Sequence, residues 1–331
     1  MRNKRKKHPH ISRGERLCRS LLILTMALGA LWGAWQLMAP KPAIADNTPP
    51  VRSSSADAEQ TAVPDETYLR RPDCWTFLLV GMDKGGGNTD TLMLVTYDAA
   101  ARRVSVGSIA RDTRVDVERK LKKINAAYAF GKMEGLIEEV GKTFGVPVDY
   151  YLRVNINGFV RLVDAVGGVD FDVPCNMDYD DPYQDLSIHY AKGTRHLSGQ
   201  QALEVCRFRQ NNDGSGYGDG GRQQTQRGVL TAVVKKALAS PTKLNDYAQI
   251  AADNLDTNLS FGNLVWFATK ALSLDAEDVH AMSMPCEWHS PYMYLDPDAT
   301  LEMVNEYFNP YVLPRTAEQL DVVTRERATA S

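Results

Sequence analysis

The spacing of apolar and polar positions changes several times along the chain, and each change marks an element. Residues 75–81 (WTFLLVG) form an apolar run of strand length, as expected of a buried strand. A glycine-rich loop follows over 82–89. Further apolar runs occupy 90–97 and 103–109, with the turn 98–102 between them. Three strands this close predict an antiparallel meander. Residues 125–144 carry helical apolar spacing, interrupted at Gly131 and Gly135. Residues 150–156 read as a strand. Asn157 stands where its side chain could cap a helix over 158–166. Gly167 and Gly168 end that helix, and 169–173 alternates as a strand. Ser198 and Gln201 have capping-box spacing ahead of 202–206. A longer helix is predicted over 223–238, with amphipathic helices over 243–254 and 261–273 and a strand over 279–284. This interleaving predicts one α/β or α+β domain, with no internal repeat.

The N-terminal pattern is different. Residues 20–38 hold no formal charge. At 1.5 Å per residue they are about long enough to cross a ~30 Å hydrocarbon layer as a helix. Eight cationic groups and one acid precede the run, and Trp32 and Trp35 lie near its far end. Cations before a span place the N-terminus in the cytoplasm, and aromatic rings favour the interface. Ala43-Ile44-Ala45 also offers a small-x-small site, so a cleaved leader stays open. The expected organisation is a basic cytoplasmic tail over 1–19, a single-pass signal-anchor helix over 20–39 and a flexible linker over 40–70. The extracytoplasmic domain then spans 71–315, followed by a C-terminal tail over 316–331.

Charge sharpens that division. The chain of 331 residues carries a formal net charge of −3, but its first twenty residues carry +7 and the remainder −10. A body at −10 argues against a nucleic-acid partner, which would demand a basic surface. Cys74, Cys175, Cys206 and Cys286 would lie outside the cell, where disulfides persist; their pairing stays open, and Cys18 would sit at the inner membrane edge. No cysteine or histidine spacing suits zinc.

Candidate chemistry collects at three places. Asp83 and Asp90 flank the glycine-rich loop, and paired carboxylates suit Mg²⁺; the plainer reading is a hairpin turn with solvated acids. Arg111 and Arg114 follow the third strand, where a guanidinium fork can match phosphate oxygens, or simply make surface ion pairs. Arg207 and Arg209, two apart on extended chain, face one side. Arg222 and Gln226, four apart, share a helix face close to its N-terminus, which favours anions. Cations concentrated in an acidic domain suggest a focused diphosphate site. The stretch Gly135 to Lys142-Thr143 imitates a P-loop but has five intervening residues where four are required. Asp170 and Asp172 read as an alternating strand, and 178–181 as an acidic loop. His189 and His289 lack triad spacing.

The motifs FLLVGMD (77–83), NTDTLMLVTYD (88–98), SIARDTRV (108–115), KINAAYAFG (123–131), NGFVRLVDAVGGVDFDVP (157–174) and DGGRQQTQ (219–226), with residues 178–209, resemble the LytR–CpsA–Psr family in order and spacing over 75–315. The resemblance implies a central mixed β-sheet flanked by α-helices, with an apolar pocket for a polyprenyl tail. It implies an enzyme that moves a glycopolymer (wall teichoic acid, capsular polysaccharide or a similar chain) from a polyprenyl-pyrophosphate carrier to peptidoglycan, forming a phosphodiester at the cell membrane. By position, Asp83 and Asp90 match the carboxylates associated with Mg²⁺, or Mn²⁺ in its place. Arg111, Arg207, Arg209, Arg222 and Gln226 match pyrophosphate-binding side chains, and Asp219 an acid beside them. Arg111, Arg222 and Asp219 are the expected catalytic residues, with Asp112 or Asp219 accepting the acceptor's proton. Asn88 stands where the family usually has arginine, with Lys84 or Arg114 as substitutes. A non-catalytic glycan-binding scaffold and a pyrophospholipid hydrolase are the alternatives.

Overall fold

A computed structural model of the chain describes residues 39–44, 66–82, 89–183 and 186–330. The basic segment 1–19, residues 20–38 of the expected span, most of the linker, Asp83, Lys84 and Asn88 lie outside the described residues. No helix among the described residues is long and apolar enough to cross a membrane.

In chain order the elements open with strands β1 (Cys74–Met82), β2 (Thr89–Asp98) and β3 (Arg103–Ile109), then helix α1 (Ala126–Phe144). Next come β4 (Tyr150–Val154), α2 (Ile156–Ala165), β5 (Val169–Val173), β6 (Met177–Asp181), β7 (Leu186–Tyr190) and β8 (Gly193–Leu197). Helices α3 (Gly199–Arg207), α4 (Gly218–Leu238) and α5 (Leu244–Asn254) precede β9 (Leu255–Thr257) and α6 (Phe261–Ala271). The chain closes through β10 (Val279–Ser283), β11 (Cys286–His289), β12 (Tyr292–Leu295), α7 (Pro297–Met303) and α8 (Arg325–Ala330).

The expected meander is present: β1 and β2 pair antiparallel, as do β2 and β3. The six-stranded sheet has order β10-β3-β2-β1-β4-β9. β4 runs parallel to β1 and β10 parallel to β3, so the central sheet is mixed.

Three local readings change. Asn155, in extended backbone, is the cap of α2 and accepts from the Gly158 N–H at 2.7 Å; Asn157 is already inside the first turn. The break in α1 falls at Lys132 (φ 54°), beside Gly131, while Gly135 stays helical. The stretch that imitates a P-loop thus runs within helix. Residues 178–181 are not a loop but part of β6, because the facing β7 buries Leu186 and Ile188 and supplies an antiparallel partner.

The two faces of the sheet are covered differently. Leu78, Val80, Leu92 and Leu94 pack on one face against Leu136, Val140 and Phe144 of α1 and against Val304 and Phe308. Leu320 and the partly buried Val322 join this side. On the other face, Trp75, Phe77, Tyr97 and Tyr150 meet Trp266 and Phe267 of α6 in edge-to-face contacts. That aromatic cluster covers only the start of β1. Beyond it, Leu79, Met93 and Leu152 line a cavity walled by α2, α3 and α4.

The α2 and α3 walls are held closely. A Cβ at Gly199 would stand 2.2 Å from the Val160 carbonyl oxygen. The obstacle is backbone, so a side chain there must part the helices. Gly199→Ala is expected to destabilise by about 1–3 kcal/mol. An unchanged urea midpoint would mean the walls are free to separate.

Candidate functional site

Local structure presents each cation. After β3 the chain turns at once: the Thr113 hydroxyl donates to the Ala110 carbonyl at 2.6 Å, and Arg111 lies inside that turn. Arg207 ends α3, and Phe208 then takes extended backbone and is fully buried. Pinning Phe208 leaves its neighbours Arg207 and Arg209 lining the cavity. Phe208 packs edge-on against Tyr217, at 5.3 Å between ring centroids. A Cβ at Gly221 would fall 1.8 Å from the Tyr217 ring, so only glycine lets α4 begin this close. The contact draws residues 218–222 into helix, five residues before the predicted start. Arg222 and Gln226 then line the cavity one helical turn apart, as their spacing predicts.

Arg111 Nη1 donates to Asp90 Oδ1 at 2.7 Å. Arg222 Nη2 lies 2.6 Å from Asp219 Oδ1, and Arg209 Nε lies 3.7 Å from the same oxygen. Arg222 Nη2 also reaches the Asp90 carbonyl at 3.5 Å. Gln226 accepts from the Thr91 hydroxyl at 3.1 Å and donates to the Cys206 carbonyl at 3.2 Å. The five residues predicted to bind pyrophosphate, Arg111, Arg207, Arg209, Arg222 and Gln226, therefore line one cavity together with Asp90; Asp219 is not in the lining but ion-pairs with Arg222 and Arg209.

The charges there are under strain. Arg222 is only 4% exposed. Burial lowers its pKa from the ordinary value, and the charges of Arg209 and Arg111 add to the fall against Asp219 and Asp90. Its Nε is buried without a hydrogen-bond partner among the described residues. Arg111 moves the other way. Burial opposes its charge, but the hydrogen bond to Asp90 and the charges of Asp90, Asp112 and Asp219 outweigh it and raise the pKa. A bound dianion would relieve the repulsion among these arginines and supply the missing acceptor.

The cavity has a volume of about 840 Å³. Behind the arginines its lining is apolar: Leu79, Met93 and Leu152 on the sheet, Phe159 and Leu162 on α2, Leu203 on α3, and Leu230 and Val233 on α4. The motifs alone point to none of these as a site residue. One signal was available: Arg222, Gln226, Leu230 and Val233 are spaced 4, 4 and 3, a single helix face passing from polar to apolar.

Other candidates are placed elsewhere. Arg114 does not substitute for an arginine at 88: it is buried, with its guanidinium over the Tyr292 ring at 5.6 Å. Asp112 binds Lys123 Nζ at 3.1 Å and lies 3.8 Å from Arg111 Nε; like Asp219, it borders the arginines without lining the cavity. The four described cysteines are free thiols. Burial pushes Cys206 up to about 12 and Cys74 up to about 11, so neither is a nucleophile at neutral pH. His189 contacts Asp178 at 2.7 Å, Asp180 at 3.2 Å and Ser187 at 2.9 Å on an open strand face. Ser187 donates to Asp180 at 2.8 Å, which commits its proton to a carboxylate. Hydrogen bonding to Asp178 raises the His189 pKa against slight desolvation.

The sequence pattern of the LytR_cpsA_psr family matches residues 48–309. The chain belongs to this family. A relative in Bacillus cereus, named polyisoprenyl-teichoic acid–peptidoglycan teichoic acid transferase TagU, is 37% identical over 203 residues, covering 59% of this chain and 64% of that protein. TagV of Bacillus subtilis, a transferase of the same description, is 30% identical over 66% of this chain and 59% of its own. The chain thus spans about three-fifths of the length of these curated relatives. The crystal structure of B. subtilis TagV superposes with a TM-score of 0.59 at 26% identity, covering 70% of this chain and 94% of that one. The mixed sheet and flanking helices of this member therefore match a solved family structure.

Proposed function

We propose that this LytR–CpsA–Psr protein is a phosphotransferase that attaches a glycopolymer from a polyprenyl-pyrophosphate carrier to peptidoglycan. One observation carries the reading: an apolar cavity opens at one end onto Arg111, Arg207, Arg209, Arg222 and Gln226. A long apolar ligand with a diphosphate head matches both parts at once. The names of the relatives in the two Bacillus species support the same reaction class.

In this reading the carrier tail lies among Leu79, Phe159, Leu203 and Leu230, and the arginines clamp the diphosphate. A hydroxyl of peptidoglycan attacks the sugar-proximal phosphorus. A new P–O bond forms, the diphosphate P–O bond breaks, and polyprenyl phosphate leaves with the negative charge that Arg111 and Arg222 stabilise. In this reading Asp219, which ion-pairs with Arg222 and Arg209, or Asp112, which lies beside Arg111, takes the hydroxyl proton. Asp90 fits a hard cation: it lines the cavity, and Arg111 engages only its Oδ1. Mg²⁺ or Mn²⁺ held by Asp90, with Asp83 as the expected second carboxylate, would neutralise phosphate oxygens. Residues 20–39 serve as the membrane anchor in this reading, with the tail inside and the domain outside, supported by the uncharged run and the basic groups before it.

The test supplies full-length protein with a synthetic lipid-pyrophosphate glycan and peptidoglycan oligomers. The expected product is glycan linked to peptidoglycan by a phosphodiester. Release of glycan phosphate to water would establish a hydrolase, and bound donor never turned over would establish a carrier-binding scaffold.

A further inference from the structure

Residues 119–132 hold five cations (Arg119, Lys120, Lys122, Lys123, Lys132) and no acid, in a body that otherwise carries an acidic excess. Glu118 and Glu134 bound the segment. Arg119 organises it from beneath. Its Nε donates to the Leu121 carbonyl at 3.0 Å and its Nη2 to the Lys123 carbonyl at 3.2 Å, while its guanidinium lies 5.5 Å from the centre of the Phe130 ring. One side chain therefore draws the loop before α1 against the tip of that helix's first segment. The helix breaks at Lys132, and a Cβ at Gly131 would meet nothing within 4 Å, so the tip projects into open space. Two large apolar side chains stand out there, Phe130 at 67% and Leu121 at 48% exposure. Lys120, Lys122 and Lys132 form no ion pair among the described residues.

The surface is continuous with the cavity. Asn125 lines it and donates its N–H to the Arg111 carbonyl at 3.2 Å. Lys123 reaches Asp112, the neighbour of Arg111.

We infer that residues 119–132 dock on an anionic lipid surface. Lysines around an exposed phenylalanine and leucine match the boundary between anionic headgroups and acyl chains. A soluble polyanion would account for the lysines but not for two apolar groups held in water. Docking would set the cavity rim against the bilayer, where a lipid-linked donor could enter without crossing water. That consequence, unlike the docking itself, rests on the transfer reading.

The full chain is placed in nanodiscs of phosphatidylcholine alone or with phosphatidylglycerol, and amide hydrogen exchange is followed by mass spectrometry. Exchange over 119–132 is expected to slow in the phosphatidylglycerol discs and to recover at high salt. Each lysine removed should cost about fivefold in the protected fraction's equilibrium. Lys120→Glu with Lys122→Glu should abolish the lipid dependence, and Leu121→Ser with Phe130→Ser should weaken it strongly. Equal exchange in both discs would overturn the proposal. So would protection unmoved by the serine pair, which would assign the surface to polyanions in general. In detergent, with donor dissolved, these variants should transfer at the parent rate and fall behind only in discs. A parent protein inactive in both media would defeat the transfer reading while leaving the exchange result standing.

Discussion

Arg222→Gln is expected to lower glycan transfer by ~10²–10³-fold, the scale of removing one donor that stabilises charge in the transition state. The same substitution should leave thermal stability unchanged or slightly raised. Arg222 is buried, its Nε finds no partner among the described residues, and burial with two neighbouring arginines depresses its pKa. A basic group whose folded pKa lies below its unfolded one opposes folding at every pH where it is charged. Replacing it therefore removes a destabilising charge, partly offset by lost packing and by the lost contact with Asp219. Arg222→Lys separates charge from geometry. It keeps the cation but cannot present two parallel donors, so transfer should recover only in part. Transfer rate and melting temperature are measured together: a fall in both would mark Arg222 as structural, and parent-like transfer would remove it from the reaction.

The outline of this fold was legible because β1 to β3 are apolar runs of strand length separated by turn residues, and 125–144 carries helical apolar spacing. The errors occur where tertiary contacts override local ones. Asn155 and Asn157 are equivalent as capping letters, and only the entry of the chain from β4 decides between them. The glycines at 218–221 read as loop, but Tyr217 packed on Phe208 makes them the first turn of α4. Asp178 and Asp180 read as an acidic loop until β7 is recognised as a partner that buries the alternate residues.

The site divides in the same way. The Arg222–Gln226 pair follows from helix spacing alone. Its meeting with Arg111, 111 positions earlier, depends on the sheet order, and only the family resemblance anticipated it. The resemblance implies an apolar pocket, but the residues that line it are not legible, for a simpler reason. Alternation in β1 and β2 says that Leu79 and Met93 face the same side as Trp75 and Tyr97, but not that α6 stops short of them.

Filling that uncovered half gives the second large effect. Leu203→Trp is expected to weaken use of a long-chain polyprenyl donor by tenfold or more, about 1.4 kcal/mol at the least. Leu203 lies on α3, in the wall behind the arginines, and borders open volume. A larger ring there takes space from the ligand without crowding an existing contact. The loss should appear in KM for the long-chain donor, because the tail binds alike in ground and transition states. A short-chain pyrophosphate donor, too small to reach Leu203, should be used at the parent rate. That contrast separates the two halves of the site: Arg222→Gln should depress both donors, and Leu203→Trp only the long one. Equal losses for both donors would mean that the tryptophan disturbs the arginine cluster through α3 and Arg207. No loss with either would mean that the lipid tail lies outside this cavity.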